Sequence, residues 1–152
     1  MDIYVRLKEL GIELPASVFK GGLYTPVRVV GNLAFVSGQG PMKDGKAVMI
    51  GVIGDELTLE DGQVCARICA INTLAALHSH FGDLNKIKGC FKVLGFVRCT
   101  TEFGDEPQVI NGASQLFIDV FGDEGWHARS AVGTNALPIG IPVEIEAAFE
   151  LK

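Results

Sequence analysis

The feature that most constrains the fold is an alternation at the end of the chain, in residues 143–151. Apolar side chains recur at every second position, and glutamates fill most of the positions between them. Because neighbouring side chains of a β-strand point to opposite faces, this pattern predicts a strand with one buried face. The buried set is Val143, Ile145, Ala147, Phe149 and Leu151, and the opposite set contains Glu144, Glu146 and Glu150.

A second alternating segment, residues 128–134, places one cation among small side chains. Arg129 shares a face with Ala131 and Gly133, so the sequence predicts open space beside the guanidinium. A cation over open space favours an anionic ligand. If the two segments pair as an antiparallel hairpin through the Pro/Gly loop 135–142, Arg129 lies near Glu144, on the sheet face that no helix covers.

Four more strands are predicted upstream. Gly31-Asn32 between two apolar runs is a hairpin signal for residues 27–37. A short third strand is predicted over residues 47–52, and the nearly continuous apolar run 88–100 predicts a central strand.

The helical periodicity of apolar residues predicts helices over residues 58–81 and 105–121, and a short N-terminal one over 2–14. In the first of these the apolar stripe includes Val64, Ile68 and Leu74. The predicted order is β-β-β-α-β-α-β-β, an α+β fold in which two main helices cover one face of a mostly antiparallel sheet.

Size and charge limit the functions that this chain can have. Its 152 residues fit one domain, with residues 1–20 as an N-terminal extension. With 18 acidic against 13 basic residues the net charge is −5, which argues against nucleic-acid and anionic-membrane surfaces. No secretory signal or membrane-spanning run is visible, so a cytoplasmic location is expected.

The four cysteines favour no metal or disulfide chemistry. None belongs to a CxxC pair, and Cys65 and Cys69 lie one helical turn apart without further ligands at zinc spacing. The sequence therefore predicts reduced, mostly buried thiols and indicates no metal and no cofactor.

Two motifs resemble the RidA/YjgF family of reactive imine deaminases, whose members often carry the description L-PSP endoribonuclease. A-R-S-A-V, L-P and V-E-I-E-A, all within residues 128–147, resemble the C-terminal signature of that family. Residues 31–41 are similar to its G-N-x-x-x-x-S-G-Q-x-P segment. The resemblance extends from about residue 24 to residue 150.

This resemblance implies a RidA-like, chorismate mutase-like fold and a homotrimer with ligand clefts between subunits. It also implies hydrolytic deamination of 2-imino or enamine acids, with release of 2-keto acid and ammonia. The catalytic pair would be Arg129, which holds the substrate carboxylate, and Glu144, which activates water. The substrate-binding residues would be Tyr24, Ser37, Gly38, Asn111, Ala131 and Trp126.

The sequence departs from the family pattern at two places and leaves alternatives open. Many relatives have a cysteine in place of Ala131, and many have a proline-containing stretch where this chain has Trp126 and His127, which shape either the pocket mouth or an interface. One alternative is a non-catalytic trimeric protein that binds small keto or imino acids. Another is an ion pair of Arg129 with Glu144 that only holds a trimer seam. A nuclease is disfavoured, because no basic patch with interleaved aromatic residues is present.

Overall fold

A computed structural model describes residues 2–16, 18 and 20–152. Met1, Ser17 and Phe19 of the expected N-terminal extension lie outside the described residues. The helices and strands in chain order are α1 (Ile3–Glu9), β1 (Val27–Val30), β2 (Leu33–Gln39), β3 (Met42–Lys43), β4 (Lys46–Ala47), α2 (Leu59–Phe81), β5 (Ile87–Arg98), α3 (Glu106–Phe121), β6 (Ala128–Thr134) and β7 (Val143–Leu151).

The main sheet has five strands in the order β1-β2-β7-β5-β6. Its neighbouring strands are antiparallel except for β5 and β6, which are parallel. Parallel neighbours need a crossover connection, and α3 supplies it by packing against both strands. Helices α2 and α3 pack on each other and cover one face of the sheet, which confirms the predicted α+β class.

The predicted alternation of the last strand is confirmed. Val143, Ile145 and Phe149 are fully buried against the helices, whereas Glu146 on the opposite face is exposed. The hairpin of β1 and β2 is confirmed as well, with Val30 paired to Leu33 across the turn. The sheet therefore has one covered face and one open face.

Both main helices begin and end close to the predicted residues. Thr58 caps α2 and accepts a hydrogen bond from the backbone N–H of Asp61, whose carboxylate accepts one from the N–H of Thr58. Helix α3 begins at Glu106 with Pro107 in its first turn. Helix α1 is shorter than predicted and begins after its cap, Asp2.

The hairpin of the last two strands was predicted incorrectly. Strand β5 lies between β6 and β7, so these two strands are not neighbours. The loop 135–142 instead crosses the end of β5, where the N–H of Arg98 donates to the carbonyl of Pro142 at 2.8 Å. Most residues of β5 are apolar, which favours a central position in the sheet. Between β6 and β7 the strand has a hydrogen-bonded neighbour on each edge, and the helices cover one of its faces.

The third strand over residues 47–52 was also predicted incorrectly. The chain forms a small two-stranded ribbon of β3 and β4 around the expected turn at residues 43–46, and residues 48–52 are not in a strand. Gly51 has a φ of +147°, which departs from the extended backbone that a strand requires.

The predicted apolar stripe of α2 is confirmed in part, because Leu74 is fully buried but the first half of the helix buries different residues. Val64 is 49% exposed, whereas Cys65, Ala66 and Cys69 are fully buried. Small side chains let α2 and α3 approach closely, as they do where Gly112 of α3 lies against the backbone of Gln63. Burial, and to a lesser degree the charge of Asp61, raises the pKa of Cys65 to about 11, which favours a packing role for this thiol.

The close approach of α2 and α3 gives a prediction for stability. A Cβ atom at Gly112 would lie 2.1 Å from the carbonyl oxygen of Gln63. The overlap is with backbone, so relieving it costs about 3 kcal/mol, whereas alanine gains only about 1 kcal/mol over glycine in a helix. We expect Gly112→Ala to lower the free energy of unfolding by roughly 2 kcal/mol in urea denaturation.

The matched control for this substitution is Gly104→Ala. A Cβ atom there would meet nothing within 4 Å, and Gly104 does not have a positive φ. We expect this variant to unfold at the urea concentration of the unmodified protein. Equal stability of the two variants would mean that α2 and α3 are not in backbone contact at Gly112.

Candidate functional site

All the predicted site residues except Ala131 line one of two surface depressions on opposite sides of the sheet. One depression, of about 520 Å3, contains Asn111, Trp126 and Arg129. The other, of about 540 Å3, contains Glu144. Its further members include three predicted site residues, namely Tyr24, Ser37 and Gly38. We call these the arginine depression and the glutamate depression.

The separation of the two depressions follows from strand register. Arg129 is paired with Val93, and Glu144 is paired with Phe96. Paired residues share a face, and positions 93 and 96 of β5 point to opposite faces. Arg129 therefore points to the helix side at the sheet edge and not to the open face, which corrects the expectation that it lies beside Glu144 within one chain.

The guanidinium of Arg129 is held by three oxygen atoms of α3 that carry no net charge. Nη1 donates to Oδ1 of Asn111 at 2.8 Å and to Oγ of Ser114 at 3.1 Å, and Nη2 donates to the carbonyl of Pro107 at 3.2 Å. Within the described residues no carboxylate forms a salt bridge with it. The cation is therefore fixed in direction without being neutralised.

Space and free donors remain beside this cation. Ala131 lies two residues further along the same face of β6, and the sequence prediction of small neighbours there is confirmed. A guanidinium has five N–H donors, and the three hydrogen bonds to α3 leave Nε–H and one N–H of Nη2 available. Burial lowers the pKa of Arg129, yet an arginine stays charged at neutral pH.

Trp126 and His127, close to Arg129 in the sequence, also line the arginine depression. Trp126 is 70% exposed and forms part of the wall. The ring of His127 is half-buried, with Nδ1 at 2.7 Å from the carbonyl oxygen of Gly125 and Nε2 at 2.9 Å from Oγ of Ser114. The sequence did not single out Ser114, although it lies one helical turn after Asn111 and shares its face of α3.

The glutamate depression is built around the half-buried carboxylate of Glu144. This carboxylate packs against Gly38, where a Cβ atom would lie 3.0 Å from Cδ of Glu144. Any larger residue at position 38 would therefore displace the carboxylate. Burial in the first place, and the charge of Glu146 in the second, raise the pKa of Glu144. A carboxylate in such surroundings accepts a proton more readily than an exposed one.

The hydroxyls of the glutamate depression are partly occupied by backbone groups. Oγ of Ser37 donates to the carbonyl of Thr25 at 2.7 Å, which fixes the turn before β1. The hydroxyl of Tyr24 accepts from the N–H of Gly21 at 3.1 Å and keeps its own proton for another acceptor. Ser37 therefore shapes the wall, whereas the Tyr24 hydroxyl proton has no acceptor among the described residues.

The coupling of Glu144 to Glu146 gives a testable prediction. Removing the neighbouring negative charge with Glu146→Gln should lower the pKa of Glu144, because a like charge disfavours the ionised form. We expect the ¹³C carboxyl titration of Glu144 to move to lower pH in this variant. Glu150→Gln is the control, because Glu150 is paired with Lys88 at 2.9 Å. Equal midpoints in the two variants would rule out this coupling.

The described residues contain no group of three or more His, Cys, Asp and Glu side chains that could hold a metal ion. In the same part of the chain, no helix is both long enough and apolar enough to cross a membrane.

Comparisons with known proteins agree with this architecture. A family model described as "YjgF/chorismate mutase-like, putative endoribonuclease" matches residues 4–144. The protein TCP17 of Trypanosoma cruzi is 39% identical over 151 residues, which cover 99% of this chain and 94% of TCP17.

Solved structures give the same result. The crystal structure of Atu1372 from Agrobacterium tumefaciens, a protein described as having unknown function, is 43% identical, with a TM-score of 0.91 over 99% of this chain and 92% of that one. A "putative endoribonuclease" from Shewanella oneidensis is 28% identical, with a TM-score of 0.95 over 99% of this chain and 100% of that one. The resemblance to RidA/YjgF proteins is thereby confirmed, and the chain belongs to the YjgF/chorismate mutase-like family.

Proposed function

We propose that this protein is a hydrolytic deaminase of reactive 2-imino and enamine acids, which it converts to 2-keto acid and ammonia. The observation that carries the proposal is the guanidinium of Arg129, which is fixed by three neutral oxygens and lacks a carboxylate partner among the described residues. A cation held in this way is prepared for an anion from outside the chain. The resemblance of the two sequence motifs to those of RidA/YjgF deaminases supports the same ligand class.

The substrate of such an enzyme has a carboxylate next to an electrophilic C=N carbon. The free N–H groups of Arg129 form hydrogen bonds to that carboxylate, a geometry that lysine cannot provide. Each charge-assisted hydrogen bond contributes roughly 1.5–3 kcal/mol. Trp126, Ala131 and Asn111 line this end of the substrate, with Asn111 acting through the guanidinium that it positions.

Water then adds to the imine carbon, and Glu144 is the base that orients it. Addition forms a C–O bond and delivers a proton to nitrogen, and loss of ammonia then breaks the C–N bond to leave the keto acid. General-base assistance of this kind contributes roughly 10²- to 10⁴-fold. The raised pKa of Glu144 suits it to accept the proton of water. The hydroxyl of Tyr24 donates to the developing charge, and Ser37 and Gly38 form the wall beside it.

The proposed cleft lies between two copies of the chain. Arg129 and Glu144 lie on opposite sides of one sheet, so a site that contains both needs the arginine depression of one copy and the glutamate depression of the next. A homotrimer satisfies this requirement at three equivalent interfaces. The open sheet face supports such assembly, since Phe35 is 45% and Val132 is 44% exposed there.

Two other functions are weighed against this one. A nuclease cleft would need several basic groups along a phosphate backbone, yet the glutamate depression contains two carboxylates and the arginine depression a single cation. A non-catalytic trimeric protein that binds keto or imino acids would use the same Arg129, and only turnover distinguishes it from an enzyme.

The experiment that tests the proposal supplies fresh substrate. An amino acid oxidase generates the 2-imino acid in the cuvette, and keto acid release is followed with and without the purified protein. We expect the protein to accelerate release in proportion to its concentration. Saturable keto acid binding without any acceleration would instead identify a binding protein. If the protein showed neither binding nor acceleration, both functions would be rejected.

A further inference from the structure

The ring of His127 is joined to Arg129 by a continuous chain of hydrogen bonds. Nη1 of Arg129 donates to Oγ of Ser114 at 3.1 Å, and this same oxygen lies 2.9 Å from Nε2 of His127. On the other side of the ring, Nδ1 lies 2.7 Å from the carbonyl oxygen of Gly125. Among the described residues, Ser114 is therefore the one side chain that links the imidazole to the guanidinium.

The partners determine where the protons are in this chain. A backbone carbonyl can only accept, so Nδ1 of His127 carries a proton. Arg129 can only donate, so Ser114 accepts from it. In the neutral ring Nε2 is an acceptor, and the Ser114 hydroxyl donates to it. Each of these donors then has its acceptor, and the Ser114 proton is directed at the His127 ring and not at the open space of the arginine depression.

Protonation of His127 would reverse the hydrogen bond between His127 and Ser114. Nε2 would become a donor to Ser114, whose oxygen would then accept from two cations at once. The Ser114 proton would have to turn toward the arginine depression, where it needs a new acceptor. Burial lowers the pKa of His127, the carbonyl of Gly125 partly opposes this effect, and the charge of Arg129 lowers the pKa further.

The groups that face the His127 ring offer no negative charge that would stabilise its protonated form. On α3 they are Ser114 and Phe117, whose ring centroid lies 6.0 Å from that of His127. On β6 the charged group is Arg129, and the turn before β6 supplies the Gly125 carbonyl. Asp123 and Glu124 of that turn are exposed, and within the described residues no carboxylate bonds to the ring.

A bound carboxylate removes both obstacles to protonation. It neutralises Arg129, and it provides an oxygen that can accept the Ser114 proton. We propose that carboxylate binding at Arg129 is coupled to proton uptake by His127, with Ser114 turning its hydroxyl from the ring to the bound anion. His127 is then a positioning residue, and Ser114 becomes an additional donor to the substrate. This inference takes only its ligand class from the proposed function.

The direction of the pH dependence follows from this coupling. The coupling makes the titration midpoint of the His127 ring higher with the carboxylate ligand than without it. The affinity for the ligand is therefore highest below both midpoints and falls as the pH rises through the interval between them. A midpoint difference of one unit corresponds to about a tenfold change in affinity. Binding in that interval should also consume protons from the buffer.

Pyruvate is the probe, and the NMR titration of the imidazole C–H signals is the measurement. The chain has three histidines, so His78 and His80 serve as internal references in the unmodified protein. We expect saturating pyruvate to raise the His127 midpoint by about one unit and to leave the other two unchanged. An unmoved His127 midpoint overturns the inference, whether pyruvate fails to bind or binds without affecting the ring.

Two variants separate this coupling from other titrations. His127→Gln and Ser114→Ala should each bind pyruvate with an affinity that no longer rises as the pH falls through and below the ordinary pKa of histidine. Glu144→Gln should keep that rise in affinity. This result would exclude the Glu144 carboxyl, whose pKa is also shifted, as the source of the pH dependence. A rise retained in His127→Gln contradicts the inference. Coupled pyruvate binding without imine turnover would instead reject the proposed enzyme and leave the coupling intact.

Discussion

Replacing Arg129 by alanine should lower kcat/KM for imine hydrolysis by roughly 10²- to 10⁴-fold. Two hydrogen bonds from the guanidinium to the substrate carboxylate are lost, and each contributes roughly 1.5–3 kcal/mol. About 1.4 kcal/mol corresponds to a factor of ten. Arg129→Lys should recover only part of the loss, because an ammonium cannot reach Asn111, Ser114 and the carboxylate together. The oxidase-coupled release of keto acid measures all three proteins.

Arg67→Ala is the matched control for this substitution. Arg67 on α2 interacts with Asp119 at 3.9 Å and takes no part in either depression. We expect this variant to keep the full rate. Light scattering on Arg129→Ala tests the alternative in which the residue only holds a trimer seam, which predicts dissociation. An intact, folded Arg129→Ala trimer with the full rate would remove Arg129 from the mechanism.

Hydrophobic alternation predicts the faces of a single strand well, and the last strand illustrates why. Ile145 and Phe149 are fully buried, and Glu146 is exposed, as the pattern requires. The pattern does not specify the neighbouring strand. A hairpin of β6 with β7 and the observed insertion of β5 between them satisfy the same alternation. Only the long-range competition among apolar strands decides between these two arrangements.

The error in strand order carried over to the candidate site. Within β6 the sequence correctly places Arg129 with Ala131, yet the register against β5 puts both on the helix side. Ser114 was missed for the same reason. A serine in the middle of a helix has no special signal until the strand beneath it is known, and only then does its spacing from Asn111 become informative.

The buried face of α2 shows a limit of a different kind. Large apolar residues marked its predicted stripe, but the fully buried positions include the small residues Cys65, Ala66 and Ala70. A helix that packs both on a sheet and on a second helix needs close approach more than bulk. Residue size therefore marks the buried face of α2 correctly at Leu74 and incorrectly at Val64, which is 49% exposed.

A site shared between copies predicts recovery of activity when two inactive variants are mixed. Arg129→Ala and Glu144→Gln should each be nearly inactive alone. When they are refolded together in equal amounts, about one quarter of the interfaces combine an intact Arg129 from one copy with an intact Glu144 from the next. We therefore expect the mixture to regain about a quarter of the unmodified rate in the coupled assay.

The size of this recovery distinguishes the two geometries. If one copy supplied both residues, neither variant would contain an intact site, and mixing them would restore nothing. The control mixture combines Arg129→Ala with the double variant Arg129→Ala/Glu144→Gln, which lacks intact sites in either geometry and should stay inactive. Arg129 and Glu144 lie on opposite sides of one sheet, so we expect recovery in the first mixture and none in the control mixture. This outcome would mean that assembly of two copies creates the active site.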